Sequence, residues 1–136
     1  MAGTLKLEIV TPTAVAYSAD VEMVTLPAVD GQIGIYPQHV PLLTRVVPGE
    51  IIVAKGGATE FLAVGGGLVE VTGEQVSVVT DMAVAVRDID EAKVEEARQR
   101  AAARLRDKLS DEEVASVNAA LARSLAQLKV KRRHRA

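Results

Sequence analysis

Glu60-Phe-Leu-Ala-Val-Gly-Gly-Gly-Leu-Val-Glu-Val-Thr-Gly-Glu-Gln-Val-Ser-Val-Val-Thr80 decides the fold class. The stretch holds three short runs, Glu60–Val64, Leu68–Val71 and Gln75–Thr80, parted by Gly65-Gly66-Gly67 and by Gly73. Short valine-rich runs bounded by glycine read as strands. The same grammar extends upstream. Leu5, Leu7 and Ile9 alternate with Lys6 and Glu8, the period of a half-buried strand. Val21–Leu26 runs up to Pro27, Asp30-Gly31 makes a turn, and Ile51–Val53 lies between Pro48-Gly49 and Gly56-Gly57. Many short strands punctuated this regularly indicate an antiparallel sandwich or barrel rather than βαβ units.

Downstream the grammar changes. All ten glycines and all five prolines lie before residue 74, whereas from Arg87 onward alanine appears eleven times. Residues 1–86 carry 3 basic and 9 acidic side chains; residues 87–136 carry 13 and 9. A joint change in turn formers, helix formers and charge sign divides the chain into a β domain, 1–86, and a helical domain, 87–136. Asp88 with Glu91 resembles a capping box opening a helix to about Arg106, with Val94, Ala97, Ala101 and Leu105 on its apolar side. Ser110-Asp-Glu-Glu113 is a second box, with Leu109 placed to staple onto Val114. Val114, Val117, Leu121, Leu125 and Leu128 then form one face of an amphipathic helix. The short link Asp107-Lys108-Leu109 favours an antiparallel helical hairpin. Alanine contacts bury little area, so the hairpin is expected to dock weakly and to keep the second helix's stripe available for another partner.

Composition bounds the chemistry. The chain has 136 residues, 49% hydrophobic and 25% charged, with a net charge of −2, which suits one domain or a small domain plus an appendage. Cysteine is absent, excluding disulfides, thiolate metal sites and a Cys nucleophile. His39 and His134 are the two histidines, too few for a multi-His metal cage. Aromatics make up 2%, leaving little for bases to stack on. No apolar run approaches the roughly 20 residues that cross a bilayer. The start has neither an apolar signal segment nor an Arg- and Ser-rich leader, so a cytosol-like compartment, or a processed form, is expected.

No catalytic constellation emerges. Gly65-Gly66-Gly67 precedes a strand, whereas a phosphate cradle needs a following helix and usually a Lys, so it reads as a tight turn. His39, between Pro37 and Pro41, reads as a structural or interface hydrogen-bonder in an irregular extended segment. Glu91, Glu95 and Glu96 invite a metal, but Arg98 and Arg100 make ion pairs the simpler account. Lys129-Val-Lys-Arg-Arg-His-Arg135 holds five fixed positive charges in seven residues, suited to nucleic acid, a membrane surface or an acidic protein face. Without an aromatic platform or a membrane span, the acidic protein ranks first.

Leu26-Pro-Ala-Val-Asp-Gly-Gln-Ile-Gly-Ile-Tyr-Pro-Gln-His-Val-Pro-Leu-Leu-Thr44, followed by Pro48-Gly49, closely resembles the signature of the epsilon-subunit family of bacterial F-type, proton-translocating ATP synthases. Chloroplast epsilon and mitochondrial delta subunits are its counterparts. Gly65–Val71, Asp88–Ala92 and Leu121–Leu128 are similar to further markers of that family. The resemblance implies a ten-stranded β-sandwich followed by a helical hairpin. It implies a noncatalytic rotor subunit of the central stalk, without a cofactor, bound to gamma and the c-ring and coupling proton translocation to ATP synthesis. It places the chain peripherally on the cytoplasmic face of the bacterial inner membrane, with a hairpin able to extend along gamma and inhibit ATP hydrolysis.

Residue by residue, the resemblance puts Asp30, Gly31 and Gln32 at the c-ring and His39 at gamma. Many members have Glu where Gln32 stands, which weakens a charge-paired c-ring contact. Arg123, Lys129, Lys131, Arg132 and Arg133 would meet acidic surfaces of the alpha and beta subunits. Some members bind ATP on the hairpin through Ile-Asp-x-x-Arg-Ala and further arginines. Ile89 and Asp90 match, and Arg100 and Arg123 fall at arginine positions, but Lys93 and Val94 replace the Arg-Ala pair. Val84 and Gln127 stand where such members have Glu and Arg. An ammonium cannot reproduce a planar guanidinium fork, so weak or absent nucleotide binding is expected. The alternative from another class is a free-standing sandwich whose basic helical arm binds nucleic acid.

Overall fold

The computed structural model describes residues 3–134; Arg135, the last cation of the basic tail, lies outside them. Ten strands form: β1 (Leu5–Val10), β2 (Val15–Val21), β3 (Met23–Ala28), β4 (Gly31–Ile35), β5 (Leu42–Val46), β6 (Gly49–Lys55), β7 (Ala58–Val64), β8 (Gly67–Val71), β9 (Gln75–Thr80) and β10 (Ala83–Ala85). A 3-10 turn at Val86–Asp88 leads to helices α1 (Glu91–Arg104) and α2 (Asp111–Arg133).

The strands form one continuous sheet that folds over itself, in the order β10-β7-β6-β3-β5-β8-β9-β1-β2, with β4 also on β3. The fold-over lies at β3. Met23–Thr25 pair with β6, whereas Ala28 pairs with Val46 of β5. The two halves face each other as a sandwich. Leu26, Ile51 and Val64 enter the core from one side, and Leu7, Ile9 and Val78 from the other, all fully buried. The core is aliphatic throughout, which the aromatic-poor composition required. Every pair is antiparallel except β1 with β9, which run parallel.

Pro27 does not end its strand. It pairs with Gln32 of β4, and its carbonyl accepts from the Val47 amide at 2.9 Å. The missing N–H would point to that same side, where β3 passes from β6 to β5 and no ladder partner calls for it. Gly56 and Gly57 close the β6–β7 hairpin with φ of 59° and 79°, the left-handed conformation a two-residue hairpin loop requires. At the open edge, the Tyr17 hydroxyl of β2 donates to Glu60 Oε1 of β7 at 3.2 Å, and Arg87 approaches Glu60 at 3.8 Å.

Helix α1 begins two residues later than the Asp88 reading. Asp90 is the N-cap and accepts from the Lys93 amide at 3.2 Å. Ile89, held in an extended conformation and buried, keeps the chain out of the helix at that point. Helix α1 stops at Arg104 rather than Arg106. The α2 capping box forms as its spacing indicates: Ser110 Oγ accepts from the Glu113 amide, and Glu113 accepts from the Ser110 amide. The Ser110 amide first, and then the Ser110 hydroxyl, hold the Glu113 carboxyl below its usual range. Arg104 and Glu113 pair at 3.5 Å where the two helices meet.

Burial first, and then the Glu60 carboxylate, push the Tyr17 phenol up to about 12 from its ordinary 10.0. A raised acid pKa means the folded state holds the proton more tightly. Its stabilisation is therefore complete below pH 10 and lost as pH rises towards 12. Ultraviolet titration of a Tyr36→Phe chain, where Tyr17 is the remaining tyrosine, should give a midpoint near 12. Glu60→Gln should bring it only partway back, since burial is the larger cause. A midpoint at 10 would mean the edge is open.

Candidate functional site

On β6 and β7 the outward-facing side chains make a seat for a helix. Glu50 pairs with Ala63, which pairs with Val84 of β10, and Phe61 lies two residues from Ala63 on the same side. Ala63 is fully buried although it faces away from the sandwich core, because α2 lies over it. Val130 of α2, also buried, packs there with Ala63 and Ile89, bordered by Val84, Val86 and Val94. The His134 ring stacks on Phe61 with centroids 3.8 Å apart and planes at 24°. A small side chain at 63 is what lets the helix come this close.

The stripe expected to stay free is therefore largely used. Val117 and Leu128 are buried, and Leu125 alone of the five is more than half exposed, at 52%. It borders a groove of about 350 Å³ between α2 and the sandwich end, with Pro27, Gln32, Pro48 and Lys129. The reading of the stripe weighed only large side chains. Ala122, Ala126 and Val130 at spacing four place the helix on the sandwich as well.

Cations along α2 meet carboxylates of their own chain. Arg123 pairs with Asp81 at 3.4 Å, beside the β10 strand. Lys131 Nζ donates to the Val86 carbonyl at 3.2 Å, and Arg132 donates through Nε to Glu91 at 2.8 Å while its Nη2 lies 3.7 Å from Glu95. Arg133 Nη1 donates to Glu50 Oε2 at 3.2 Å, and His134 Nε2 lies 2.9 Å from the same oxygen. Hydrogen bonds from Arg98, above all, hold the Glu95 carboxyl below its usual range, with Arg132 adding to them against burial. Four of the five cations named for a partner surface are thus engaged internally, while Lys129 stays exposed. Among the described residues no cluster of three His, Asp or Glu could hold a metal; Glu91 and Glu95 serve these arginines instead.

The remaining named residues lie elsewhere. Asp30 lies in the exposed Val29-Asp30 turn between β3 and β4, and Gly31 and Gln32 open β4 beside it, also exposed; Gly31 has φ +118°, a conformation that favours glycine. His39 is half-buried, and its Nδ1 donates to the Val40 carbonyl at 2.7 Å. Ile89 belongs to the cluster under α2, Asp90 caps α1, Arg123 is paired with Asp81, and Arg100 is exposed on α1. Ile89, Asp90 and Arg123 are thus each engaged in a different contact.

One surface escaped the sequence reading. On the outer face of the second half of the sheet, Leu68, Val79, Val10 and Val15 sit opposite one another across β8, β9, β1 and β2. Leu68, Val79 and Val15 are more than half exposed, as are Leu43 and Val40 near His39. The signal was present in the doublets Leu42-Leu43, Leu68-Val69 and Val78-Val79. In a strand with one face in the core, one member of each doublet must face out.

Comparisons with known proteins match this architecture along its length. The beta-sandwich domain model of the ATP synthase delta/epsilon chain covers residues 4–86, and the long alpha-helix domain model of the same chain covers residues 87–132. An ATP synthase epsilon chain of Halorhodospira halophila is 43% identical over 129 residues, 93% of this chain and 92% of that one. One from Alkalilimnicola ehrlichii is 40% identical over 134 residues, covering 98% and 96%. Among solved structures, a chain of the Euglena gracilis mitochondrial ATP synthase OSCP/F1/c-ring assembly superposes with a TM-score of 0.68 at 21% identity, covering 88% of this chain and 76% of that one. A chain of the Tetrahymena thermophila mitochondrial ATP synthase central stalk/c-ring gives 0.62 at 14% identity, covering 96% and 98%. At these identities the two superpositions speak for the fold.

If Val130 anchors α2, Val130→Ala should cost about 2 kcal/mol of docking. Tryptic cleavage within residues 129–133, which samples the open population, should then speed up at least about tenfold while the sandwich keeps its melting temperature. Unchanged cleavage would show that docking does not depend on this contact.

Proposed function

The chain belongs to the ATP synthase delta/epsilon chain family, and from that premise we propose that it is a noncatalytic rotor subunit of the central stalk. The observation that carries the reading is the unequal treatment of the two sandwich faces. One is covered by the chain's own α2, whereas the other presents a bare aliphatic row, Leu68-Val79-Val10-Val15, with Leu43 and Val40 towards His39. Exposed aliphatic surface of this kind suits burial against a partner. The partner is gamma, with His39 at the margin of that contact. The exposed stretch Asp30-Gly31-Gln32 at the start of β4 meets the c-ring, through hydrogen bonds and shape at Gln32 rather than a full charge.

A stiff β body fixed to gamma and seated on the c-ring passes ring rotation to the catalytic head without doing chemistry. The division at residues 86 and 87 separates that body from a movable hairpin. In the extended arrangement Arg123, Lys129, Lys131, Arg132 and Arg133 meet acidic surfaces of alpha and beta and oppose ATP hydrolysis. Such a change occurs only if partners bind the two arrangements differently. Attachment to the membrane is peripheral, through the complex on its cytoplasmic face in bacteria. No helix among the described residues is long and apolar enough to cross a bilayer. The nucleic-acid arm has less support, because Arg123, Arg132 and Arg133 are turned towards carboxylates of the same chain and Lys131 towards a backbone carbonyl.

Two variants in one purification test the assignment. Truncation after residue 87 should retain association with gamma and release hydrolysis from inhibition, whereas Val79→Glu should abolish association with gamma. Equal hydrolysis rates for complete and truncated chains would remove the inhibitory role, and undiminished association of Val79→Glu would remove the aliphatic row from the gamma contact. Nucleotide binding is weak or absent, with Lys93 and Gln127 in place of arginines. Calorimetry at micromolar ATP should show no binding heat, and a micromolar affinity would contradict this.

A further inference from the structure

Glu50 is the buried carboxylate of the described residues, and its burial has an unusual origin. It faces outward from β6 beside Ala63, and its side chain is 4% exposed because the end of α2 closes over it. Arg133 and His134, which satisfy it, both belong to the last turn of that helix or its C-cap. The stacking of His134 on Phe61 fixes the ring that reaches the carboxylate.

The other polar bridges differ in kind. Arg123 and Asp81 are 36% and 44% exposed, a range in which an ion pair contributes little. Arg132 pairs with Glu91 and Glu95 of α1, inside the hairpin itself. Lys131 holds a neutral carbonyl at Val86. Among the described pairs between sandwich and hairpin, the one desolvated member is therefore Glu50, at 4%, held under the tip of α2 by Arg133, itself 48% exposed, and by His134, 21% exposed.

We propose that Glu50 is the latch of the docked hairpin: by capturing Arg133 and His134 it sets the fraction of time that α2 lies on the sandwich. This deepens the two-state reading and rests on it. Because α2 is the lid over Glu50, release at the tip admits water to the carboxylate, so opening leaves no stranded buried charge. Release accordingly begins at the C-terminal end and runs back towards Arg123. Glu50 also competes with any acidic partner surface for Arg133, so a tighter latch means weaker capture of the extended helix.

Hydrogen exchange on the full-length chain tests this. Amides of residues 124–133 report the tip, and those of β1 and β9 report the sandwich. Glu50→Gln keeps the shape and removes the charge, and should speed tip exchange about tenfold or more while β1 and β9 stay within about twofold. Arg133→Gln should do the same, and the double variant should be no faster than the faster single one. Arg104→Gln, which breaks an exposed pair inside the hairpin, should change tip exchange by less than about twofold. Tip exchange unmoved by Glu50→Gln and Arg133→Gln, or an acceleration shared equally by the sandwich, overturns the latch. Either result leaves the rotor assignment standing, since that assignment fails on association with gamma and on hydrolysis rates.

Discussion

Contact between the last two turns of α2 and the outer face of β6 and β7 is the constraint on which the rest of the molecule depends. Ala63 and Glu50 lie side by side there, one small enough to admit a helix and one charged enough to hold its end. Without that seat the hairpin would be a pair of alanine-rich helices facing water. A helix as short as α1, with 14 residues, is marginal on its own. With it, the hairpin is ordered yet attached through a small apolar cluster of Ala63, Ile89 and Val130 rather than through the sandwich core. The sandwich needs nothing from the hairpin, since its core of facing aliphatic side chains is complete within β1–β9.

That asymmetry suits the proposed coupling piece with a movable arm. A rigid element must not soften when its appendage leaves, and here the buried aliphatic core and the hairpin cluster share no residue. The arm in turn must have somewhere to return to. The carboxylates Glu50, Asp81, Glu91 and Glu95 occupy Arg123, Arg132 and Arg133 of α2 while it is docked. In the proposed extended arrangement the same cations meet a partner, so the two states exchange one set of ionic contacts for another. The net difference between them is then small, as a responsive two-state element requires.

Local patterns were legible in the sequence and distant ones were not. The Ser110 capping box formed as read, because both of its bonds span three residues. Strands with clean alternation, such as β1 and β9, were likewise readable. Pro27 was misread as a stop because its tolerance depends on β3 changing partners at that point, which is a property of the fold-over. Asp88 was taken for a cap because the burial of Ile89, which moves the helix start to Asp90, comes from Ala63 and Val130 far along the chain. Glu50 looked like an ordinary strand carboxylate. Its partners lie 83 and 84 positions away, beyond the reach of any local pattern. The aliphatic outer row was encoded in apolar doublets, but which member of each faces out is set by register.

In the proposed two-state hairpin, α2 rests on the sandwich in the isolated chain and leaves it in the assembled motor. The natural sequence has no cysteine, so two engineered cysteines carry spin labels cleanly. Exposed positions Lys55 on β6 and Asn118 on α2 suit them. Pulsed electron paramagnetic resonance should give one narrow distance for the chain alone, and a second, longer population once gamma, alpha and beta are bound. A single unchanged distance in both samples would contradict the account.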